Sequence, residues 1–113
     1  MQTKDANRAL DDFDRAIALE PKNFTAYFGR GNALAELANP NWQEVLQAYE
    51  QVIKLNPDYH AAWIGQGNAL ARSGQPIEAV QSYVEALQTM ERLQIEPTDA
   101  IANLREILDQ AMR

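Results

Sequence analysis

Apolar residues recur every three or four positions along almost the whole chain, and no segment alternates in the manner of a strand. The pattern predicts helices separated by short turns. The first runs from about Lys4 to Leu19, with Ala6, Ala9, Leu10, Phe13, Ala16 and Ile17 on one stripe, and Pro21 stops it. Asn23 is placed to cap a second helix over about 24–38. Asn39-Pro40 reads as a cap followed by a first-turn proline, opening a third helix that ends near Leu55, with Val45, Leu46, Tyr49, Val52 and Ile53 facing inward. Asn56-Pro57-Asp58 is a turn whose aspartate can cap a fourth helix, about 59–72. Gly74 offers a left-handed stop, and Pro76 opens a fifth helix that reaches about Leu93. Thr98 can cap a sixth over about 99–112, striped by Ile101, Leu104, Ile107, Leu108 and Met112. Connections of two to five residues make successive helices antiparallel neighbours.

The pattern also repeats. Residues 26–34 read AYFGRGNAL and residues 62–70 read AWIGQGNAL, 36 positions apart, with seven of nine positions identical or exchanging one aromatic for another. Ala9, Phe13, Ala16, Ile17, Leu19 and Pro21 return as Val45, Tyr49, Val52, Ile53, Leu55 and Pro57. A third copy follows 34 residues later as Ala79, Tyr83, Ala86 and Leu87. The unit is therefore a helix hairpin of 34 residues, with two extra residues in the 38–41 turn of the middle copy. A unit this small cannot bury its apolar face alone, so the copies must stack.

Residue types and spacing together resemble the tetratricopeptide repeat (TPR), whose signature is W-x2-L-G-x2-Y, then A-x3-F, then P. One copy supplies Tyr27-x2-Arg30-Gly31-x2-Leu34, Val45-x3-Tyr49 and Pro57. The next supplies Trp63-x2-Gln66-Gly67-x2-Leu70 and Ala79-x3-Tyr83. The resemblance covers residues 5–94. It implies an all-α fold of antiparallel helix hairpins stacked as a right-handed superhelix of about six helices. Residues 1–113 then form a single domain: 1–23 the second helix of a truncated repeat, 24–59 a full repeat with the insertion, 60–94 a full repeat, and 95–113 a capping helix. A glycine inside a helix costs about 1 kcal/mol relative to alanine, so Gly31 and Gly67 need a packing reason, namely close approach of the partner helix. The signature leucine is Arg30 in one copy and Gln66 in the other. That contact is therefore lost or made by side-chain stems.

Composition narrows the function. The chain has no cysteine, which excludes disulfides and thiolate metal sites. Sixteen acidic against ten basic residues leave a net charge of −6, which argues against non-specific nucleic-acid binding. No apolar run approaches the roughly 18 residues of a membrane span, and the N-terminus lacks a signal-peptide core. A cytoplasmic location is the expectation. The GRG and GQG triplets lie inside helices rather than after a strand, so they are not phosphate loops. His60, the only histidine, has no cysteine or second histidine near it in sequence and no nucleophile to serve. The carboxylates, Asp11, Asp12 and Asp14 among them, are scattered over solvated faces. No catalytic role, metal or other cofactor is expected.

A protein or peptide partner is expected instead. In TPR proteins the first helix of each hairpin lines a concave face. In this sequence the side of that helix not used for packing carries Thr25, Phe28, Asn32, Ala35 and Glu36. The next repeat carries Ala61, Ile64, Asn68, Ala71 and Arg72 at the same places. Asn32 and Asn68 would stand one above the other, and a carboxamide both donates and accepts. No packing requirement visible in the sequence accounts for them. The resemblance therefore implies a groove that holds a peptide backbone through an asparagine ladder. The subclass that clamps a C-terminal carboxylate uses lysines and arginines, whereas the corresponding places here hold Thr25, Phe28, Gly29, Ala61, Ile64 and Gly65. Trp42, beside the insertion, is expected to pack back on its own hairpin. At the C-terminal end, Arg105 stands where a glycine would allow another helix to approach, so the array is expected to stop. At the N-terminal end the first helix lacks its hairpin partner. Leu10 and Phe13 are thus candidates for self-association with a second copy, or for contact with a preceding repeat. A structural or tethering role in a larger protein is the alternative to peptide binding.

Overall fold

The computed structural model describes residues 3–95 together with 106, 109 and 110. Five helices run in chain order: α1 (Thr3–Leu19), α2 (Phe24–Ala35), α3 (Trp42–Leu55), α4 (His60–Arg72) and α5 (Pro76–Arg92). Each packs on the next, and α2 also meets α4 across the intervening helix, so the stack is one continuous layer of hairpins. The expected sixth helix and its features, Thr98, Ile101, Leu104, Arg105 and Leu108, lie outside the described residues, although 106, 109 and 110 are helical.

Local chemistry sets the helix ends. Asn23 is the N-cap of α2 in extended backbone, and its side-chain oxygen accepts from the Ala26 N–H at 3.2 Å. Helix α2 stops at Ala35, three residues before the expected end. There the backbone tightens, with the N–H of Glu36 bonding the Ala33 carbonyl and that of Leu37 the Leu34 carbonyl. The cap of α3 is Asn41, not Asn39: its oxygen accepts from the Glu44 N–H, and Pro40 lies outside the helix. The turn between α2 and α3 therefore spans residues 36–41. Asp58 does not cap α4. Tyr59 holds the cap position without a side-chain bond, and Asp58 reaches Arg92 of α5 at 2.6 Å. Gly74 adopts φ +85°, as a left-handed stop requires, and the Gln75 N–H returns to the Leu70 carbonyl before Pro76 begins α5.

The interior is small residues around aromatic plugs. Among the described residues, eight of the fourteen buried hydrophobic side chains are alanine, and they let the helix backbones approach closely. Val45 and Val52 are the largest fully buried side chains, while Tyr49 and Tyr83 are 4% and 2% exposed. The space above Gly31 and Gly67 is taken by rings from the partner helix. A Cβ on Gly31 would stand 2.9 Å from Tyr49 Cε1, and one on Gly67 would stand 2.6 Å from Tyr83 Cε1. A second pair of glycines performs the same task between hairpins. Gly65 receives the other side of the Tyr49 ring, and Gly29 receives Phe13. Tyr49 is thus wedged between α2 and α4. The two polar replacements of the signature leucine make polar contacts: Arg30 pairs with Asp14 of α1 at 2.8 Å, and Gln66 accepts from the Ser82 hydroxyl of α5.

Candidate functional site

Helices α2 and α4 lie side by side with α3 behind them. Their outer faces enclose an open cavity of about 420 Å³. From α2 and its C-cap it is lined by Phe28, Asn32, Ala35 and Glu36, and from α4 by Ala61, Ile64, Asn68 and Arg72. These are eight of the ten positions expected from the sequence. Thr25 and Ala71 do not line it. The Thr25 hydroxyl instead donates to Asn23 at 2.6 Å, as part of the α2 cap, and Ala71 is exposed.

The structure adds residues that the repeat pattern did not offer. Trp42 lines the cavity from the start of α3, and the Arg72 guanidinium lies 4.7 Å from its ring centroid. The ring also packs on the core cluster around Leu34, Val45 and Tyr49, so it touches both its own hairpin and the next. A cation on a tryptophan face contributes about 0.5–1 kcal/mol at an exposed site. Here it ties the end of α4 to the start of α3. Tyr59, from the turn before α4, meets Phe24 and Phe28 edge-on at centroid distances of 5.2 and 5.1 Å. That contact holds Phe28 upright at the groove wall.

The asparagines have a partner that sequence reasoning missed. The Tyr49 hydroxyl donates to Asn32 Oδ1 and the Tyr83 hydroxyl to Asn68 Oδ1, each at 2.5 Å. Asn32 and Asn68 are nonetheless exposed. One end of each carboxamide is therefore engaged inside the protein while the residue stands in the groove. Packing does account for their presence in part, contrary to the sequence expectation. The available signal was the invariant offset between each asparagine and the tyrosine of its own hairpin, allowing for the two inserted residues. Burial holds the Tyr49 hydroxyl protonated, pushed up to about 12. The Glu36 carboxylate adds to that rise and Arg72 opposes it. Tyr83 is raised by burial.

Other candidates are less assembled. His60 is a half-buried first residue of α4. Among the described residues, no group of His, Asp and Glu is close enough to hold a metal ion, and no helix is long and apolar enough to cross a membrane. Leu10 and Phe13 are each half-buried: Leu10 packs on the Leu34 cluster, and Phe13 lies against Gly29. Their outer sides have no counterpart of the helix that covers Leu46 and Tyr49 among the described residues.

Comparison with known proteins agrees with this architecture. A family model described as "Tetratricopeptide repeat" matches residues 1–44 and 33–100. No curated protein matches the chain. Among solved structures, the chain is similar to the TPR2B domain of yeast Sti1, determined in a complex with pHsp70. The TM-score is 0.86 at 17% identity, covering 96% of this chain and 84% of that one. It is also similar to two crystal structures of MamA. One has a TM-score of 0.75 at 27% identity, covering 81% of this chain and 53% of that one. The other has a TM-score of 0.71 at 28% identity, covering 82% and 50%. The chain thus spans about half the length of either MamA chain.

Proposed function

The chain belongs to the tetratricopeptide repeat family, and from that premise we propose that it is a binding module whose concave face holds an extended segment of a partner protein. The observation that carries this reading is the cavity between α2 and α4. Equivalent positions of two repeats converge there, with apolar walls at Phe28 and Ile64 and polar rungs at Asn32 and Asn68. Apolar walls take alternate side chains of an extended strand, and the amides engage its backbone, which is a recurrent mode of peptide recognition. Among the described residues the one cation lining the cavity is Arg72, already stacked on Trp42 with Glu36 lining the same cavity. That arrangement suits a backbone better than a free carboxylate.

The test is selection of peptides from a random library on the immobilised chain, followed by titration with the Asn32 and Asn68 side-chain amides observed by NMR. Ala61→Glu fills the groove from the first turn of α4, where an acidic side chain suits the helix N-terminus. Selected peptides should shift both amides and lose at least about tenfold in affinity for this variant, the equivalent of 1.4 kcal/mol. Failure to select any peptide, or peptides that bind the variant equally well, would remove the proposal. A second reading, self-association through the outer side of α1, is favoured by the half-exposure of Phe13 where its counterpart Tyr49 is buried. Sedimentation over a dilution series decides it: a monomer at every concentration excludes it.

A further inference from the structure

The two rungs of the groove share an orientation that gives them a chemical sense. Tyr49 and Tyr83 are buried, at 4% and 2% exposure, so each phenolic hydrogen needs an acceptor inside the protein. Each finds the side-chain oxygen of the asparagine across its own hairpin at 2.5 Å. The bond recurs in both copies although the surroundings differ. The residue four positions after Asn32 is Glu36, and the residue four after Asn68 is Arg72. The geometry is therefore set by the hairpin rather than by a neighbouring charge. A carboxamide is planar, with its acceptor and donor ends on opposite sides. Once the oxygen is turned inward to the tyrosine, the N–H2 end is left facing out, and both asparagines are exposed on the cavity side.

We propose that Tyr49 and Tyr83 are positioning residues that orient Asn32 and Asn68 with their donors toward the groove, so that the groove prefers backbone carbonyls of the bound segment over its backbone N–H groups. This rests on the peptide-binding reading and sharpens it. An asparagine free to turn over would serve carbonyl and N–H alike. A held one presents its N–H2 group and has one of its oxygen's two lone pairs already taken, so it favours acceptors. Proline and N-alkylated residues keep their carbonyl and lack the N–H, so the groove should accept them at the rungs without loss. The partner class is an extended segment whose donors are dispensable, including proline-containing ones.

Two experiments decide it. A neutron crystal structure of the unliganded protein locates the deuterons. The expected result is a tyrosine O–D directed at each Oδ1 with the ND2 group toward the groove, and an ND2 group directed at the tyrosine oxygen would overturn the proposal. This arm does not depend on any ligand, so its failure is separate from failure of the peptide-binding reading. The second uses a peptide selected on the wild-type chain, synthesised with single thioamides, which weaken the acceptor, or single N-methyl groups, which remove the donor. At rung positions thioamides should lower affinity about threefold to tenfold, the size of a neutral hydrogen bond, and N-methyl groups less than twofold. In the Tyr49→Phe/Tyr83→Phe protein, checked for folding by circular dichroism, the carboxamides can turn and this discrimination should collapse. A purely structural tyrosine would weaken both peptide series alike and leave their ratio unchanged, which would overturn the proposal, as would N-methyl groups costing more than thioamides.

Discussion

Replacing Gly65 by alanine tests the packing logic at the contact between hairpins where Tyr49 is held from two helices. On helix propensity alone, alanine should stabilise α4 by about 1 kcal/mol. The tertiary structure reverses that sign. A Cβ on Gly65 would stand 2.8 Å from Tyr49 Cζ and 2.9 Å from Cε1, whereas unstrained carbon contacts lie near 3.5–4.0 Å. The ring would have to retreat by roughly 0.7–1 Å. It cannot do so freely, because its other side already lies against Gly31, where a Cβ would stand 2.9 Å away, and its hydroxyl is tied to Asn32. Overpacking of this kind costs about 1–3 kcal/mol. Set against the propensity gain, the variant should lose up to about 2 kcal/mol. Urea denaturation followed by far-UV circular dichroism measures this as a lower midpoint at unchanged slope. Tyr49→Leu removes the atoms that clash, so in that background Gly65→Ala should become neutral or stabilising by up to about 1 kcal/mol. A Gly65→Ala protein more stable than the parent, or a penalty that persists beside Leu at position 49, would refute the wedge.

Two further outcomes follow from the same geometry. Tyr49 titrates near 10 in an unfolded chain and at about 12 here, so its protonated form is favoured by folding. That contribution is complete below pH 10 and is lost as pH rises from 10 to 12, at roughly 1.4 kcal/mol per pH unit; denaturation curves across this window should be steeper in pH for the parent than for Tyr49→Phe. Asn41→Ala removes the α3 cap and should cost about 1 kcal/mol. Asn39→Ala should be nearly neutral, and Asp58→Ala should cost less than about 1 kcal/mol, because it breaks only a half-exposed ion pair with Arg92. Equal losses for Asn39 and Asn41 would place the cap incorrectly.

Much of this protein was legible along the chain. The period of the apolar stripe and the duplicated GxGNAL segments determined the hairpins, their number within 5–94, and the stacked all-helical fold. Those properties depend only on which residues share a helix face. The same rule placed eight of its ten candidate positions around one cavity, because equivalent sites in two copies emerge on the same side; it did not exclude Thr25 and Ala71, and it did not offer Trp42. Helix ends were less legible: Asn39 and Asn41 are chemically equal candidates, and only the backbone path through the 36–41 turn makes one of them the cap. The tertiary structure alone decided which atoms meet between elements. It set the Tyr49 ring between Gly31 and Gly65, brought Arg72 over Trp42, and joined each tyrosine hydroxyl to an asparagine on the facing helix. Periodicity fixes direction around a helix, but a hydrogen bond or a ring contact depends on the height and distance at which two helices settle. Close packing of small residues sets those distances, and in this molecule it brings each exposed asparagine within reach of a buried tyrosine hydroxyl.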